Sequence, residues 1–263
     1  MMASATELPV PTYPDLAGKV AVVTGGSKGI GAATCRALAA NGMRVAVVAR
    51  DREGIDAVVS GLREAGSEAV GVSTDVTDLG QIDRMRSQVE AELGPPDVLV
   101  AFAGGFGRFT SVHDITEREW HDVIESNLTS TFLTCKSFLP GMIERGSGAI
   151  VTMATNGARV LDVPLTASYA AAKAGVMVFT RHMAKEVGPH GIRANCVAPA
   201  TTLTERTERI LSPERKLELA GLAPLGRLGI PDDTALATLF LASSSAAWLT
   251  GVTLDVAGGR IML

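Results

Sequence analysis

The chain has 263 residues, of which 46% are apolar and 20% charged, and its formal net charge is −4. These values are typical of an ordinary globular protein that is long enough for one large α/β domain. Without a dense block of Lys or Arg, this charge argues against nucleic acid or an anionic membrane as the main partner. No apolar run approaches the ~20 residues needed to span a bilayer.

The cysteines and histidines show no ligand pattern. Cys35, Cys135 and Cys196 lack metal-ligand or disulfide spacing, and the four histidines are scattered. We therefore predict buried thiols in a reducing cytoplasm and no metal site. Residues 1–15 are predicted to form a flexible arm rather than a signal peptide, and residues 16–263 a single domain.

Short β-branched runs alternate with helical stretches along the chain. Strands are predicted over residues 19–24, 43–49, 68–73, 97–101, 149–154, 192–197 and 252–256. Helices are predicted from the first Gly-rich turn to residue 40 and over residues 52–65, 78–93, 117–144 and 167–187, with an interruption expected at Pro140. The strands are continuous apolar runs, which indicates helices on both faces of the sheet. The alternation predicts a Rossmann fold, an α/β doubly wound parallel sheet of about seven strands.

One charged, helix-prone segment interrupts this rhythm. Residues 201–222 follow the sixth predicted strand, at the edge of the sheet where ligands bind in such folds. We predict that this segment is a mobile lid over the active site. A solvated helical hairpin is the alternative.

A Gly-rich turn joins the first strand to the first helix. Its residues are Thr24, Gly25, Gly26, Ser27, Lys28, Gly29, Ile30 and Gly31. Gly25 permits the tight turn, Gly29 lets the backbone approach a pyrophosphate, and Gly31 lets helix and strand pack closely. The helix N-terminus supplies free N–H donors, so the turn predicts dinucleotide binding.

The end of the second strand bears on the choice of cofactor. An acidic residue there would bind the ribose hydroxyls of NAD, but this strand ends at Arg50. A guanidinium can bind a 2′-phosphate with two hydrogen bonds, and Lys28 adds a second positive charge. The pattern favours NADP(H) over NAD(H). If the register is one residue off, Asp51 takes the position and favours NAD; Asp51 can also simply cap the next helix.

Tyr169 and Lys173 are the strongest candidates for catalysis. Residues four apart on a helix share one face. A phenol has an unperturbed pKa of about 10, and a nearby ammonium favours the phenolate. We therefore expect Lys173 to lower the pKa of Tyr169 and make it a usable general acid/base. By itself, the spacing is also that of a surface pair.

Together these residues resemble the short-chain dehydrogenase/reductase family, over residues 16–259. Residues 224–231, 249–251 and 258–259 resemble the β-ketoacyl carrier-protein reductases and bacterial ketoreductases. The catalytic positions implied are Asn127, Thr155, Tyr169 and Lys173. The further cofactor-binding positions implied are Asp75, Val76, Ala103, Gly104, Pro199, Thr202 and Thr204.

The sequence departs from the family pattern at three places. The usual Asn-Asn-Ala-Gly after the fourth strand is replaced by residues 101–104, Ala-Phe-Ala-Gly, which removes side-chain hydrogen bonds that brace this segment. The usual catalytic Ser is absent: counting from the strand places Thr155 there, and counting back from Tyr169 places Asn156. We favour Thr155, which keeps a hydroxyl and the register of the strand. Ala200 replaces the usual Gly.

The resemblance implies reduction of a ketone by NADPH, with Tyr169 donating the proton and Thr155 binding the same oxygen. Lys173 would hold the nicotinamide ribose, and Asn127 would anchor a water or serve as a structural hydrogen-bonder. A largely apolar substrate mouth is predicted from Phe102, Phe106, Arg108, Met153, Arg159, Leu161 and Val163. The resemblance also implies a homotetramer. The alternatives are an NAD-dependent alcohol, sugar or polyol dehydrogenase, and a non-catalytic NADP-binding module.

Overall fold

A computed structural model describes residues 8–107, 109–160 and 165–262 of the chain. Its sheet consists of β1 (Val20–Thr24), β2 (Arg44–Ala49), β3 (Ala69–Ser73), β4 (Val98–Ala101), β5 (Gly148–Met153), β6 (Ile192–Pro199) and β7 (Thr253–Val256). All neighbouring strands pair in parallel, in the spatial order β3-β2-β1-β4-β5-β6-β7. The predicted Rossmann fold and all seven predicted strands are confirmed.

Helices cover both faces of this sheet. They are α1 (Gly29–Ala39), α2 (Arg52–Glu64), α3 (Leu79–Leu93), α4 (Glu117–Ile124), α5 (Ser130–Arg145), α6 (Ala167–Val187), α7 (Glu205–Ile210), α8 (Pro213–Gly221) and α9 (Pro231–Ala242). The predicted lid segment contains α7 and α8. The helix α9 was not predicted; it packs beside α1.

The long helix predicted over residues 117–144 is interrupted at a different place. The helix α5 continues through Pro140, so the expected break there is wrong. The interruption is a π-helical turn, Glu125–Thr129, between α4 and α5. Such turns insert a residue into the helical ladder and are frequent at functional sites. Here the turn contains Asn127, a predicted site residue.

Alternating side chains of the strands build two cores. Ala21 and Val23 face the layer that contains α1, α2 and α9. Val20 and Val22 face α3, α5 and the end of α6. Because successive residues of a strand point to opposite faces, a continuous apolar strand supplies both layers at once.

Parallel pairing brings the carboxyl ends of all seven strands to one edge. The order reverses between β1 and β4, and ligands bind at this switch point in doubly wound sheets. The Gly-rich turn follows β1, and the predicted site residues follow β4, β5 and β6 at the same edge. The fold thus assembles candidates that are more than 100 residues apart in the sequence.

The predictions for the cysteines, for a metal site and for a membrane span can be compared with the structure. Cys35, Cys135 and Cys196 are free and buried, and burial raises the pKa of the Cys35 and Cys135 thiols to about 12. Within the described ranges, no group of three acidic, His or Cys side chains is arranged to hold a metal ion, and no helix is long and apolar enough to cross a bilayer. Within the arm predicted over residues 1–15, the Tyr13 backbone N–H donates to Asn41 Oδ1 at 2.6 Å.

Candidate active site

Glycines let the turn after β1 pack closely against the segment after β4 and against α1. Gly25 has a φ of +72°, and a Cβ there would lie 3.0 Å from the Phe102 backbone. A Cβ on Gly31 would lie only 2.0 Å from the Gly25 carbonyl oxygen, so any side chain would force the turn away from α1. Lys28 precedes α1 and provides no side-chain cap, so the N–H donors of the first turn are left for a ligand. This cradle fits the dinucleotide predicted from the sequence.

The segment after β4 keeps its bracing despite the missing asparagines. The Thr24 hydroxyl oxygen accepts hydrogen bonds from the backbone N–H groups of Phe102 at 3.1 Å and Ala103 at 3.2 Å. Asn127 accepts from the Gly105 N–H at 3.0 Å and donates to the Gly105 carbonyl at 3.1 Å. The expected loss of bracing is therefore offset by two side chains from β1 and the π-helical turn.

Asn127 is fully buried, and its environment explains why glycine stands at position 104. A Cβ on Gly104 would lie 2.5 Å from Asn127 Oδ1. Asn127 Nδ2 also donates to the Val123 carbonyl at 3.0 Å, and its own carbonyl accepts from the Thr131 hydroxyl at 2.8 Å. These contacts support the structural alternative for Asn127. The water-anchoring role stays a prediction.

Tyr169 and Lys173 lie one turn apart near the start of α6. The Thr166 hydroxyl caps this helix by accepting from the Tyr169 N–H at 3.3 Å. Lys173 is 2% exposed, its Nζ donates to the Met153 carbonyl at 2.9 Å, and it lies 5.7 Å from the centroid of the Tyr169 ring. The helix therefore places the pair beside the end of β5.

The pKa of Tyr169 shifts in the opposite direction from our expectation. Burial raises it to about 12, and the charge that opposes this rise is the Arg206 guanidinium rather than Lys173. Burial also lowers the pKa of the Lys173 ammonium to about 8, and the nearby Cys196 thiol partly counters that shift. The prediction from helical spacing was wrong because it ignored desolvation, which disfavours the charged form of both groups.

The two candidates for the serine position differ in exposure. Thr155 is half-buried, and its hydroxyl donates to the Pro199 carbonyl at 3.4 Å, a long contact. Asn156 is 2% exposed and begins a 3₁₀ turn. Its Nδ2 has no hydrogen-bond partner among the described residues. Thr155 is thus the more accessible of the two side chains.

At the adenosine end, Arg50 is the exposed first residue after β2. Asp51 occupies the N-cap position of α2, and its carboxylate is ion-paired with Lys28. The hydrogen bond from Lys28 is the main cause that holds the pKa of Asp51 below its usual range. After β3, Asp75 accepts from the Thr77 N–H at 3.0 Å and hydroxyl at 2.8 Å, and Val76 is buried in the core.

The predicted lid segment begins directly on the dinucleotide turn. After Pro199, the buried Thr202 donates to the Ala200 carbonyl at 3.1 Å. Thr204 caps α7 and packs on the turn, where a Cβ added to Gly29 would lie 3.0 Å from the Thr204 methyl group. Ser27 and Ile30 are half-buried at the same turn.

An arginine of the predicted lid segment contacts Phe106, which packs against Tyr169. Arg206 Nη2 donates to the Phe106 carbonyl at 2.6 Å, and its guanidinium lies 4.2 Å from the centroid of the Phe106 ring. That ring meets Tyr169 edge-on, with centroids 6.2 Å apart. Arg206 was not predicted as a site residue, since no spacing relates it to residues 100 positions earlier. Its only signal in the sequence was the charge of the segment 201–222.

The predicted substrate mouth is corrected in part. Phe106 does contact Tyr169. Phe102 is 3% exposed and packs in the core, because its side chain follows the inward alternation of β4. Arg159 is ion-paired with Asp255 of β7 at 3.0 Å, so it is held by the sheet edge. Arg108, Leu161 and Val163 lie outside the described residues.

A doubly wound sheet with a dinucleotide turn, and a Tyr–Lys pair at the same edge, define a nicotinamide-dependent oxidoreductase. The short chain dehydrogenase family profile matches residues 19–215. The chain belongs to this family of oxidoreductases, which act on CH–OH and ketone groups, as the resemblance predicted.

Its relatives include two named enzymes and a solved structure. The chain is 38% identical to 3-oxoacyl-[acyl-carrier-protein] reductase FabG of Escherichia coli over 252 residues, 94% of this chain and 98% of that enzyme. It is also 38% identical to D-threitol dehydrogenase of Mycolicibacterium smegmatis over 259 residues, 98% of both chains. A short-chain type dehydrogenase/reductase from Mycobacterium marinum superposes with a TM-score of 0.89 at 32% identity, over 95% of this chain and 98% of that one.

Proposed function

We propose that this protein reduces a ketone, with a 3-oxoacyl or related carbonyl compound as substrate and NADPH as the preferred cofactor. The observation that carries the proposal is the position of Tyr169 and Lys173 at the carboxyl edge of the sheet, beside the dinucleotide turn. The likeness to a 3-oxoacyl-[acyl-carrier-protein] reductase supports the substrate class. A carrier-bound thioester is compatible with this class.

Each side chain has a role that its environment supports. Because the pKa of Tyr169 is raised to about 12, its hydroxyl is protonated at neutral pH and can donate to the developing alkoxide. Thr155 offers a second hydroxyl for the same oxygen. Lys173 supplies positive charge behind Tyr169 and would bind the nicotinamide ribose. The bound cofactor supplies the hydride.

The cofactor is proposed to lie across the β1–β4 crevice. The Gly-rich turn, with Gly25, Gly29 and Gly31, would hold the pyrophosphate. Asp75 and Val76 would meet the adenine, and residues 103–104 and 199–204 the nicotinamide half. The exposed Arg50, with Lys28, would bind the 2′-phosphate and give the preference for NADPH.

A second candidate is an NAD-dependent dehydrogenase for an alcohol or polyol. The ion pair between Lys28 and Asp51 favours it, because Asp51 neutralises one of the two charges that a 2′-phosphate needs. The likeness to D-threitol dehydrogenase points the same way. A binding protein without catalysis, suggested by the missing serine, is the third reading.

We also propose that the chain forms a cytoplasmic homotetramer. Phe132 of α5 and Val178 of α6 are 42% and 47% exposed, although both are apolar. Trp248 is 99% exposed, close in sequence to the edge strand β7, where Leu254 is also exposed. Exposed apolar groups on two helices and at a sheet edge are typical of interfaces between copies.

The test is cofactor titration by NADPH and NADH fluorescence, followed by turnover of ketones, 3-oxoacyl thioesters and polyols. We expect tighter binding of NADPH and reduction of at least one ketone or thioester. Tyr169→Phe should remove turnover and leave NADPH binding nearly intact. Tyr13→Phe changes the only other tyrosine and is the matched control. Oxidation of polyols with NAD alone would select the second candidate, and binding without turnover the third.

A further inference from the structure

The lid carries a positive charge toward the proposed proton donor. Arg206 is the second residue of α7, whose cap Thr204 packs on the dinucleotide turn at Gly29. From there the side chain extends to the loop after β4 and donates to the Phe106 carbonyl at 2.6 Å. One short helix thus connects the cofactor turn with the loop beside Tyr169.

Aromatic packing fixes where this guanidinium lies. The guanidinium lies 4.2 Å from the centroid of the Phe106 ring. The Phe106 ring also contacts the Tyr169 ring, with centroids 6.2 Å apart and an interplanar angle of 71°. A Cβ on Gly105 would lie 3.3 Å from Arg206 Nη1, so the glycine leaves room for the planar group. Arg206 is therefore held against Phe106, which in turn contacts Tyr169, by stacking and by one hydrogen bond.

The charge of Arg206 is not neutralised locally. Among the residues that the structure describes, no carboxylate lies within 4.0 Å of its nitrogens, whereas Lys216 is paired with Glu208 at 2.6 Å and Arg215 with Glu218 on the same lid. The carboxylate of its neighbour Glu205 lies beside Gly29 instead. The charge of Arg206 acts on Tyr169 against the effect of burial.

A guanidinium has five N–H donors, and only Nη2 is engaged with Phe106. Its remaining donors match a carboxylate in a bidentate geometry. The Arg206 side chain is exposed, so a ligand can reach it, and the Phe106 ring covers one face of its guanidinium.

We propose that Arg206 is a specificity-determining residue that binds a carboxylate carried by the substrate, so that the natural substrate is an oxo acid with its charge a few bonds from the reacting carbonyl. This inference rests on the carbonyl-reducing function proposed above and narrows its substrate class.

The test compares acids with their uncharged esters. The probes are 2-oxobutanoate, 3-oxobutanoate and 4-oxopentanoate, each with its methyl ester, and the measured quantity is kcat/KM with saturating NADPH. The wild type should prefer at least one acid to its ester by tenfold or more. Arg206→Gln should lower the acid-to-ester ratio by about 10- to 100-fold, as expected for loss of a charged hydrogen bond. Arg206→Lys should keep part of the preference.

The methyl esters separate loss of charge recognition from a displaced α7. A displaced α7 would lower kcat/KM for acid and ester alike, whereas loss of charge recognition lowers it for the acid alone. Arg209→Gln, on the same helix, is the matched control, because its Nε donates only to the Glu205 carbonyl, at 3.1 Å. An acid-to-ester ratio that is the same in wild type and Arg206→Gln overturns the carboxylate site while leaving the reductase function standing.

Failure of the function itself gives a different result. If no acid or ester is reduced, the proposed reduction of these carbonyls is wrong, and calorimetric titration of 3-hydroxybutanoate into the enzyme–NADPH complex then decides the site. Binding that Arg206→Gln loses and Arg209→Gln keeps supports it; absence of binding to the wild type overturns it.

Discussion

Lys28 of the dinucleotide turn is ion-paired with Asp51, the second residue after β2. The pair joins the two segments that flank the position of the cofactor ribose in this class of fold. Both side chains are partly exposed, so the pair can open when a ligand offers a stronger partner. Asp51 and a 2′-phosphate would therefore compete for Lys28, with Arg50 available to the phosphate alone.

Removing the competing carboxylate should tighten NADPH binding. For Asp51→Asn we expect the Kd for NADPH to fall about threefold, the scale of an exposed ion pair, while the Kd for NADH rises or stays constant. Arg50→Ala should weaken NADPH about 10- to 100-fold and NADH much less. Fluorescence titration measures both, with Asp56→Asn as control, since Asp56 pairs with Arg52. A tighter NADH complex in Asp51→Asn would contradict the assignment.

Lys173 should set the upper pH limit of reduction. Its pKa is lowered to about 8, so the ammonium is present below that pH and is lost as the pH rises through it. Tyr169, with a pKa of about 12, stays protonated over the same range. We expect kcat/KM for NADPH, which reports the free enzyme, to fall above about pH 8. The fall in kcat/KM at high pH should be absent in Lys173→Arg. It should remain in Lys185→Arg, which changes a lysine on the exposed side of α6. If kcat/KM instead stays constant up to about pH 9.5, as for a lysine with an unperturbed pKa, then Lys173 does not set the pH limit.

The hydroxyl of Thr155 should matter more than the amide of Asn156. Thr155→Ala should lower kcat about 10²-fold, in the range for one oxyanion donor, with cofactor affinity unchanged. Thr155→Ser restores a hydroxyl and should recover most of the rate. If Asn156→Ala is the damaging change in steady-state kinetics, then the register counted back from Tyr169 is correct.

Gly104 should tolerate no side chain. Its φ is +138°, and a Cβ there would lie 2.5 Å from Asn127 Oδ1. Gly104→Ala should lower the free energy of unfolding by about 1–3 kcal/mol in urea titration and weaken cofactor binding, because the segment after β4 must move. Gly61→Ala is the control: nothing lies within 4 Å of a Cβ in this helical position. It should be neutral or stabilising by roughly 0.5–1 kcal/mol.

Phe132 of α5 and Val178 of α6 should hold copies of the chain together. Phe132→Glu places a charge where an interface would be dry, and light scattering should then show a smaller assembly than the wild type. Ile143→Glu, at the far end of α5 and 38% exposed, is the control. A monomeric wild type would disprove the tetramer outright.

The fold, the dinucleotide turn and the candidate pair could all be predicted from local sequence patterns. Strand and helix follow from apolar periodicity and turn residues, which act over short distances. The turn depends on glycines whose backbone freedom is a local property, and Tyr169 and Lys173 are related by the helical repeat alone. The turn and the pair are each contained in fewer than ten consecutive residues.

The tertiary structure decided the features that depend on distant partners. The interruption of the long helix lies at the π-helical turn, where the Asn127 side chain binds Gly105, and the helix continues through Pro140. Arg159 binds Asp255 of β7. The pKa shift of Tyr169 was set by burial, and the charge that opposes it comes from the lid at Arg206. Desolvation and contacts between residues 20 to 100 positions apart leave no periodic trace in a sequence, so only the folded chain could reveal them.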